Sequence, residues 1–312
     1  LARALRQDAA DLYDYLRRTP FTIYGGPAKR PRSIWLKDET RQETGAFKFR
    51  GNIAKLSRSR GHFNVVAAST GNHGLGLSTA ARALGLSATV FVPATTPLKK
   101  QDGIRRAGAE LIRVAGDYDS CEQAARAYSA GRSHLYVSSF DDDEIIEGHR
   151  SLFREVDEAG IRFDTVFVPT GGGGLLSACI RHWGGRVKRI VGVESASAPA
   201  MKMSLDSRQR VYLPRAEGMA EGLLVRRVGE IAFRLCSQFR PQIVTVTDRQ
   251  MEQAVRLLWQ HNGIRAETAA AASLAAALSY PAPLGNCLCV VSGGNIDDAY
   301  FSKILSEAEA VG

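Results

Sequence analysis

Nowhere in the 312 residues does an apolar run approach the roughly 18 uninterrupted positions that a membrane span requires. The opening LARALRQDAADLYDYL has the periodicity of an amphipathic helix, not the short apolar core of a secretory signal. Neither a membrane anchor nor secretion is expected. Cysteine is sparse, and the five residues Cys121, Cys179, Cys236, Cys287 and Cys289 form no CxxC pair and have no histidine at zinc-ligand spacing. An odd, dispersed set of this kind predicts free thiols in a reducing cytoplasm and no structural metal. Internal repeats, heptads and low-complexity linkers are also missing. Lysine and arginine outnumber the acids 41 to 32, giving a net charge of +9, but they stand singly or in pairs among acids. Without a gathered basic patch, nucleic-acid binding is not expected. The chain begins at Leu1 rather than Met, so a few preceding residues are expected to be absent, and about 17 residues follow Asn295, too few for a C-terminal regulatory domain under feedback control.

What is present is ample core material, 45% hydrophobic against 23% charged, in a length that suggests two domains or one divided domain. Between Asn64 and Tyr136 short β-rich runs (NVVAAS, ATVFVP, ELIRVA, HLYVSS) alternate with helical stretches, the βαβ rhythm of a parallel sheet. A second series follows: TVFVPT, RIVGVES, QIVTVTD, an alanine-rich helix over 267–278, and NCLCVVSGG. The predicted class is therefore α/β, with two open, twisted, parallel-type sheets and flanking helices. The expected division is a small mobile domain over 64–142 and a larger one from 1–63 and 143–312, joined through a helix over 144–159.

Four segments carry candidate chemistry. TGGGGLL, at 170–176, follows an apolar strand and opens a helix. Without β-carbons, successive backbone N–H groups of such a run turn inward, and the helix N-terminus adds partial positive charge, which together suit an anion. The ligand is left open between a nucleotide, a dinucleotide and a cofactor monophosphate, although GxGxxG is only partly met and the Walker pattern is missing. ASTGNHGLG places Ser69, Thr70, Asn72 and His73 at a strand's C-terminal end, where open α/β sheets bind ligands, while Ser69 and Asn72 are equally suited to turn and capping roles. In KDETRQETGAFKFRGN, Lys48 stands between Phe47 and Phe49, either snorkelling over the rings or desolvated and nucleophilic. VVSGGNID ends a buried strand at Ser292 with two glycines, which fits an ordinary turn or the close approach of a flat ring.

In this order and over nearly the whole chain, these segments resemble the fold-type II pyridoxal-phosphate enzymes, whose fold is like that of tryptophan synthase β, and most closely their serine/threonine dehydratase and serine racemase branch. AEGLLVRRVGEIAF, at 220–233, is similar to the family's segment lining one face of the cofactor ring. The resemblance implies pyridoxal 5'-phosphate as cofactor and Lys48 as the Schiff-base lysine. It further implies Phe47 and Gly222 on the two faces of the ring, Asn72 on the ring's phenol oxygen, Gly171, Gly172, Gly173, Gly174 and Leu175 around the phosphate, and Ser292 at the pyridine nitrogen. Ser69, Thr70, Asn72 and His73 would hold the substrate carboxylate. A neutral hydroxyl at Ser292 does little to keep the ring nitrogen protonated, which suits prompt β-elimination over transamination.

The implied activity is elimination of water from a β-hydroxy-α-amino acid such as L-serine or L-threonine, giving a 2-oxo acid and ammonia, by a cytoplasmic homodimer with a small amino acid as its partner. The alternatives are a β-replacement synthase, an amino-acid racemase, or a non-catalytic basic binding protein. Departures from the branch pattern are specific. Ala46 replaces a usual serine, and Thr70 takes the place of the racemase's catalytic serine, where its methyl group restricts χ1. Ala200 replaces the acid that pairs with Glu194 in cation-binding members, Glu221 replaces an aspartate, and EGHRS over 147–151 departs from the usual GQG stretch.

Overall fold

The structure, a computed structural model, describes residues 12–27, 33–59, 64–131 and 133–307. The helix expected over the first 16 residues lies largely outside them. In chain order the strands are β1 (Phe21–Ile23), β2 (Ser33–Asp38), β3 (Asn64–Ala68), β4 (Ser87–Pro93), β5 (Glu110–Val114), β6 (His134–Tyr136), β7 (Thr165–Pro169), β8 (Arg189–Ser195), β9 (Gln242–Val246) and β10 (Asn286–Val291). The helices are α1 (Lys48–Leu56), α2 (Asn72–Ala83), α3 (Leu98–Arg106), α4 (Tyr118–Ser129), α5 (Asp143–Glu158), α6 (Gly174–Trp183), α7 (Ala200–Ser207), α8 (Glu230–Phe239), α9 (Asp248–Asn262), α10 (Thr268–Ser279) and α11 (Asp298–Ser306). Local chemistry explains several boundaries. Thr247 and Gln250 form a reciprocal capping box that starts α9, and Gly263, at φ +64°, ends it. Asp117 caps α4 by accepting from the Ser120 N–H.

The described chain packs as two compact units. The first contains the residues up to Arg18 and Gln42–Ser151. Its four-stranded sheet has the order β5-β4-β3-β6, all parallel. Ile53, Leu56, Leu77 and Ile104 cover one face, while Cys121 and Ala125 of α4 cover the other with Val66 and Phe91. The second unit contains Thr19–Arg41 and the residues from Leu152 onward. Its six-stranded sheet has the order β1-β2-β10-β7-β8-β9, parallel except for the short β1. The alanine-rich α10 is buried almost throughout. Its small side chains let it sit against Phe167, Val191 and Cys289 of the sheet, and Ser273 anchors it with a 2.8 Å bond to the Val290 carbonyl.

The two sheets and most elements lie where the pattern placed them, but the division differs in detail: residues 42–59 and 143–151 pack with the smaller sheet. The reason is close helix packing through glycine. A β-carbon on Gly148 would stand 2.7 Å from the Arg50 carbonyl oxygen, and one on Gly76 would stand 3.2 Å from the Phe49 nitrogen, so α5 and α2 both press backbone-close against α1. β1 and β2 had no place in the sequence reading. β2 lies beside β10 and carries Lys37, which is buried because Glu155 and the Thr19 carbonyl receive its ammonium at 2.5 and 2.8 Å.

Candidate active site

In the first unit the chemistry gathers at the C-terminal ends of β3 and β6, which are parallel neighbours. Lys48 is the first residue of α1, and its Nζ donates to the Ser139 carbonyl, just beyond β6, at 2.5 Å. The ammonium also lies 5.1 Å from the Phe47 ring centroid, so aromatic contact and a polar partner coexist. The Lys48 carbonyl accepts from Asn52 Nδ2 at 2.8 Å, one helical turn on. That same amide lies 3.4 Å from His73 Nδ1, and His73 Nε2 lies 3.1 Å from the Val137 carbonyl oxygen. A carbonyl only accepts, so Nε2 carries the proton and Nδ1 receives the Asn52 N–H. Burial, and then the Lys48 charge, push the His73 pKa down to about 3 and keep the ring neutral.

The STGNHG loop divides between support and exposure. Ser69 is buried, and its Oγ accepts from the Gly71 and Gly74 N–H groups at 3.0 and 2.8 Å, so its side chain caps α2. With both ring nitrogens of His73 committed inside the unit, its side chain holds the loop. Thr70 and Asn72 remain partly exposed. His149, from the EGHRS segment, is buried with its ring centroid 4.7 Å from that of Phe47. Burial and then Lys48 lower its pKa, and neither ring nitrogen has a hydrogen-bond partner among the described residues.

In the second unit, β7 and β10 are parallel neighbours, so the glycine run after one and Ser292 after the other share a sheet edge. Gly173 has φ +91°, and a β-carbon there would stand 2.5 Å from Ala232 Cβ; one on Gly171 would stand 2.6 Å from the Gly222 carbonyl oxygen. The Gly172 carbonyl accepts from the Gly229 N–H at 3.0 Å. The run is thus pinned against 220–232 on one side and leads on the other into the N-terminus of α6, where Gly174 and the buried Leu175 form the first turn. Gly222 sits in the single turn Glu221–Leu223. Beyond buried Ser292, the Gly293 carbonyl accepts from the Glu267 N–H at 3.0 Å, and Gly294 admits the Arg265 carbonyl where a β-carbon would not fit.

Pyridoxal phosphate matches these donors. The phosphate calls for a cradle of backbone N–H groups at a helix start with no side chain in the way, and the aldehyde calls for a primary amine. In the second unit the run before α6 fits the first requirement, and in the first unit Lys48, at the Ser139 carbonyl, fits the second. Glu194, the remaining carboxylate of interest, is fully buried and accepts from the Met201 and Lys202 N–H groups at 2.6 and 2.9 Å, capping α7. Burial lifts its pKa to about 8. Among the described residues, no cluster of three or more His, Cys, Asp or Glu suits a metal.

Tyr118, Ser139 and Asn52 belong to this site and escaped the sequence reading. Asn52 carried a signal, its i+4 spacing from Lys48 on one helix face, but Tyr118 and Ser139 reach it only through the β3–β6 pairing and the packing of α4.

Known proteins resemble this chain over most of its length. The model of the pyridoxal-phosphate dependent enzyme family matches residues 12–293. The biosynthetic L-threonine dehydratase of Lactococcus lactis subsp. lactis (strain IL1403) is 33% identical over 321 residues, covering 97% of this chain and 77% of that protein. The L-threonine ammonia-lyase of Thermotoga maritima is 34% identical over 284 residues, covering 88% of this chain and 70% of its own length. The processed form of threonine deaminase isoform 2 from Solanum lycopersicum superposes with a TM-score of 0.87 at 27% identity, over 99% of this chain and 94% of that structure. With the family model spanning both sheets, and with an amine, a glycine cradle and a hydroxyl at the strand ends, the chain belongs to the pyridoxal-phosphate-dependent enzyme family.

Proposed function

We propose that the chain is a pyridoxal-phosphate-dependent ammonia-lyase that eliminates water from a β-hydroxy-α-amino acid, serine or threonine, and yields a 2-oxo acid and ammonia. The observation that carries the reading is the Lys48 amine, held by a carbonyl beside two neutral imidazoles, in a chain whose relatives at 33% and 34% identity are a threonine dehydratase and a threonine ammonia-lyase. Bound pyridoxal phosphate supplies the aldehyde that exchanges Lys48 for the substrate amine, and a ring that withdraws electrons from the substrate Cα.

The chain's residues do the rest. Backbone N–H groups of 171–174 hold the phosphate, and the Ser292 hydroxyl meets the ring nitrogen without adding charge. Backbone N–H groups at the start of α2 receive the substrate carboxylate beside Thr70 and Asn72. Lys48 Nζ, once free, takes the Cα proton; the Cβ–O bond then breaks, and the proton on Nζ goes to the departing hydroxyl, which leaves as water. The released 2-amino-2-alkenoate hydrolyses to the 2-oxo acid and ammonia. Neutral His73 and His149 add no charge of their own beside Lys48 to oppose its taking a proton.

A cytoplasmic homodimer completes the reading. Five free, buried cysteines suit a reducing compartment, and among the described residues no helix is long and apolar enough to cross a membrane. The test is purification with cofactor, an absorbance spectrum, and incubation with L-serine and L-threonine, with and without a thiol acceptor. A yellow protein that releases ammonia and 2-oxo acid is expected, with the chromophore and activity both lost in Lys48→Ala. A new thio amino acid in place of 2-oxo acid would make it a β-replacement enzyme, and a colourless protein that cofactor cannot restore would end the proposal.

A further inference from the structure

We propose that Tyr118 and Ser139 are positioning residues for the Lys48 amine: the Ser139 carbonyl is the dock to which Nζ returns when it is not engaged elsewhere, and the Tyr118 hydroxyl fixes that dock. The inference rests on Lys48 being the amine that acts in the proposed lyase, and it goes beyond that reading in naming what holds the amine.

A lysine side chain has many rotamers, so an amine that leaves and re-forms a covalent bond at each turnover needs a defined resting place. A carbonyl oxygen accepts an N–H from the ammonium and from the neutral amine alike, so the dock works in both protonation states. Lys48 Nζ lies 2.5 Å from the Ser139 carbonyl oxygen.

The dock is built to stay still. The Val137 N–H donates to the Val66 carbonyl at 2.8 Å, which extends the β3–β6 ladder, and the Val137 carbonyl takes the His73 Nε2 proton at 3.1 Å. Ser138 Oγ accepts from the Asp141 N–H at 3.1 Å. Ser139 is buried, and its own hydroxyl lies 3.0 Å from the phenol of Tyr118, the first residue of α4. Burial foremost raises the Tyr118 pKa, so the phenol keeps its proton and remains able to donate. The Lys48 backbone is tied to the same structure through Asn52 and His73, so amine and dock are referenced to one frame.

Tyr118→Phe and Ser139→Ala each remove one hydroxyl of the pair and leave the carbonyl and the fold in place. In the cofactor-free chain, acylation of Lys48 by an amine-selective reagent, followed by peptide mass spectrometry across pH, should accelerate about three- to tenfold in either variant, the equivalent of one neutral hydrogen bond. The double variant should add nothing further, because both hydroxyls serve one contact. In the loaded enzyme kcat should fall by a similar factor with KM within about twofold, and the limb of the pH–rate profile that reports the amine should move. Wild-type labelling in the single variants, or additive effects in the double, would overturn the dock. Raised labelling with unchanged kcat would overturn its catalytic role. Because labelling needs no turnover, a chain that eliminates nothing from either amino acid would end the functional reading while the dock was still being measured.

Discussion

Replacing Gly173 by alanine tests the phosphate cradle most directly, because two separate penalties converge there. The residue has φ +91°, where an L side chain costs about 1–3 kcal/mol. Its new β-carbon would also stand 2.5 Å from Ala232 Cβ and 3.2 Å from Met201 Cε, and overpacking of that kind costs about 1–3 kcal/mol. The loop can relieve both only by moving off α8, and Gly172 resists through its bond to Gly229. Movement withdraws backbone N–H groups from the phosphate, and each hydrogen bond to a charged group is worth about 1.5–3 kcal/mol, so losing one or two weakens cofactor binding about 10- to 10⁴-fold. Titrating the cofactor-free variant with pyridoxal phosphate and following the chromophore reads the effect. Gly185→Ala is the control: that residue also has positive φ, +80°, but a β-carbon there meets nothing within 4 Å, so it should cost a little stability and leave cofactor affinity unchanged. If Gly173→Ala bound the cofactor within about threefold of wild type, the run 171–174 would not be its phosphate site.

The remaining predictions concern charge. Lys37 and Glu155 form a buried pair at 2.5 Å, with side chains 1% and 3% exposed, so Glu155→Ala should destabilise the second unit by about 3–5 kcal/mol in denaturant titrations, whereas Lys37→Met with Glu155→Leu should recover most of that loss; equal losses in both would refute the account. Because the folded chain refuses a proton at His73 until about pH 3 while the unfolded chain binds it near 6.5, stability from this group is present above pH 6.5 and is lost as pH falls toward 3. Urea midpoints of wild type and His73→Gln should therefore converge on acidification, and parallel pH curves would count against a neutral His73. Ser292→Asp should slow elimination and raise long-wavelength absorbance or transamination, whereas Ser292→Ala should mainly loosen the cofactor; identical spectra and product ratios would remove Ser292 from the ring nitrogen.

Much of this protein is legible in the chain alone because its signals are local. Alternation of β-rich runs with helical stretches gave both sheets, and the STGNHG loop, the glycine run and Ser292, each read at the end of a strand, stand there, since strand, turn and helix N-terminus are contiguous in sequence. Gly171 and Gly173 were read as room for a phosphate; the fold adds that neither has room for a β-carbon against 222 and 232. What tertiary structure alone decided are the roles that depend on a partner far along the chain. The side chain of His73 is held by Asn52 and by the Val137 carbonyl, 21 and 64 positions away. Residues 42–59 joined the smaller sheet because glycine faces on α2 and α5 admit α1 at backbone distance, which no periodicity encodes. Lys37 could be buried only because Glu155, 118 positions away, meets it, and Tyr118 reaches the Lys48 dock only because β6 pairs with β3. Local propensity writes the elements and the chemistry at their ends, while long-range pairing of polar groups that cannot be buried alone decides which of those residues act and which ones hold.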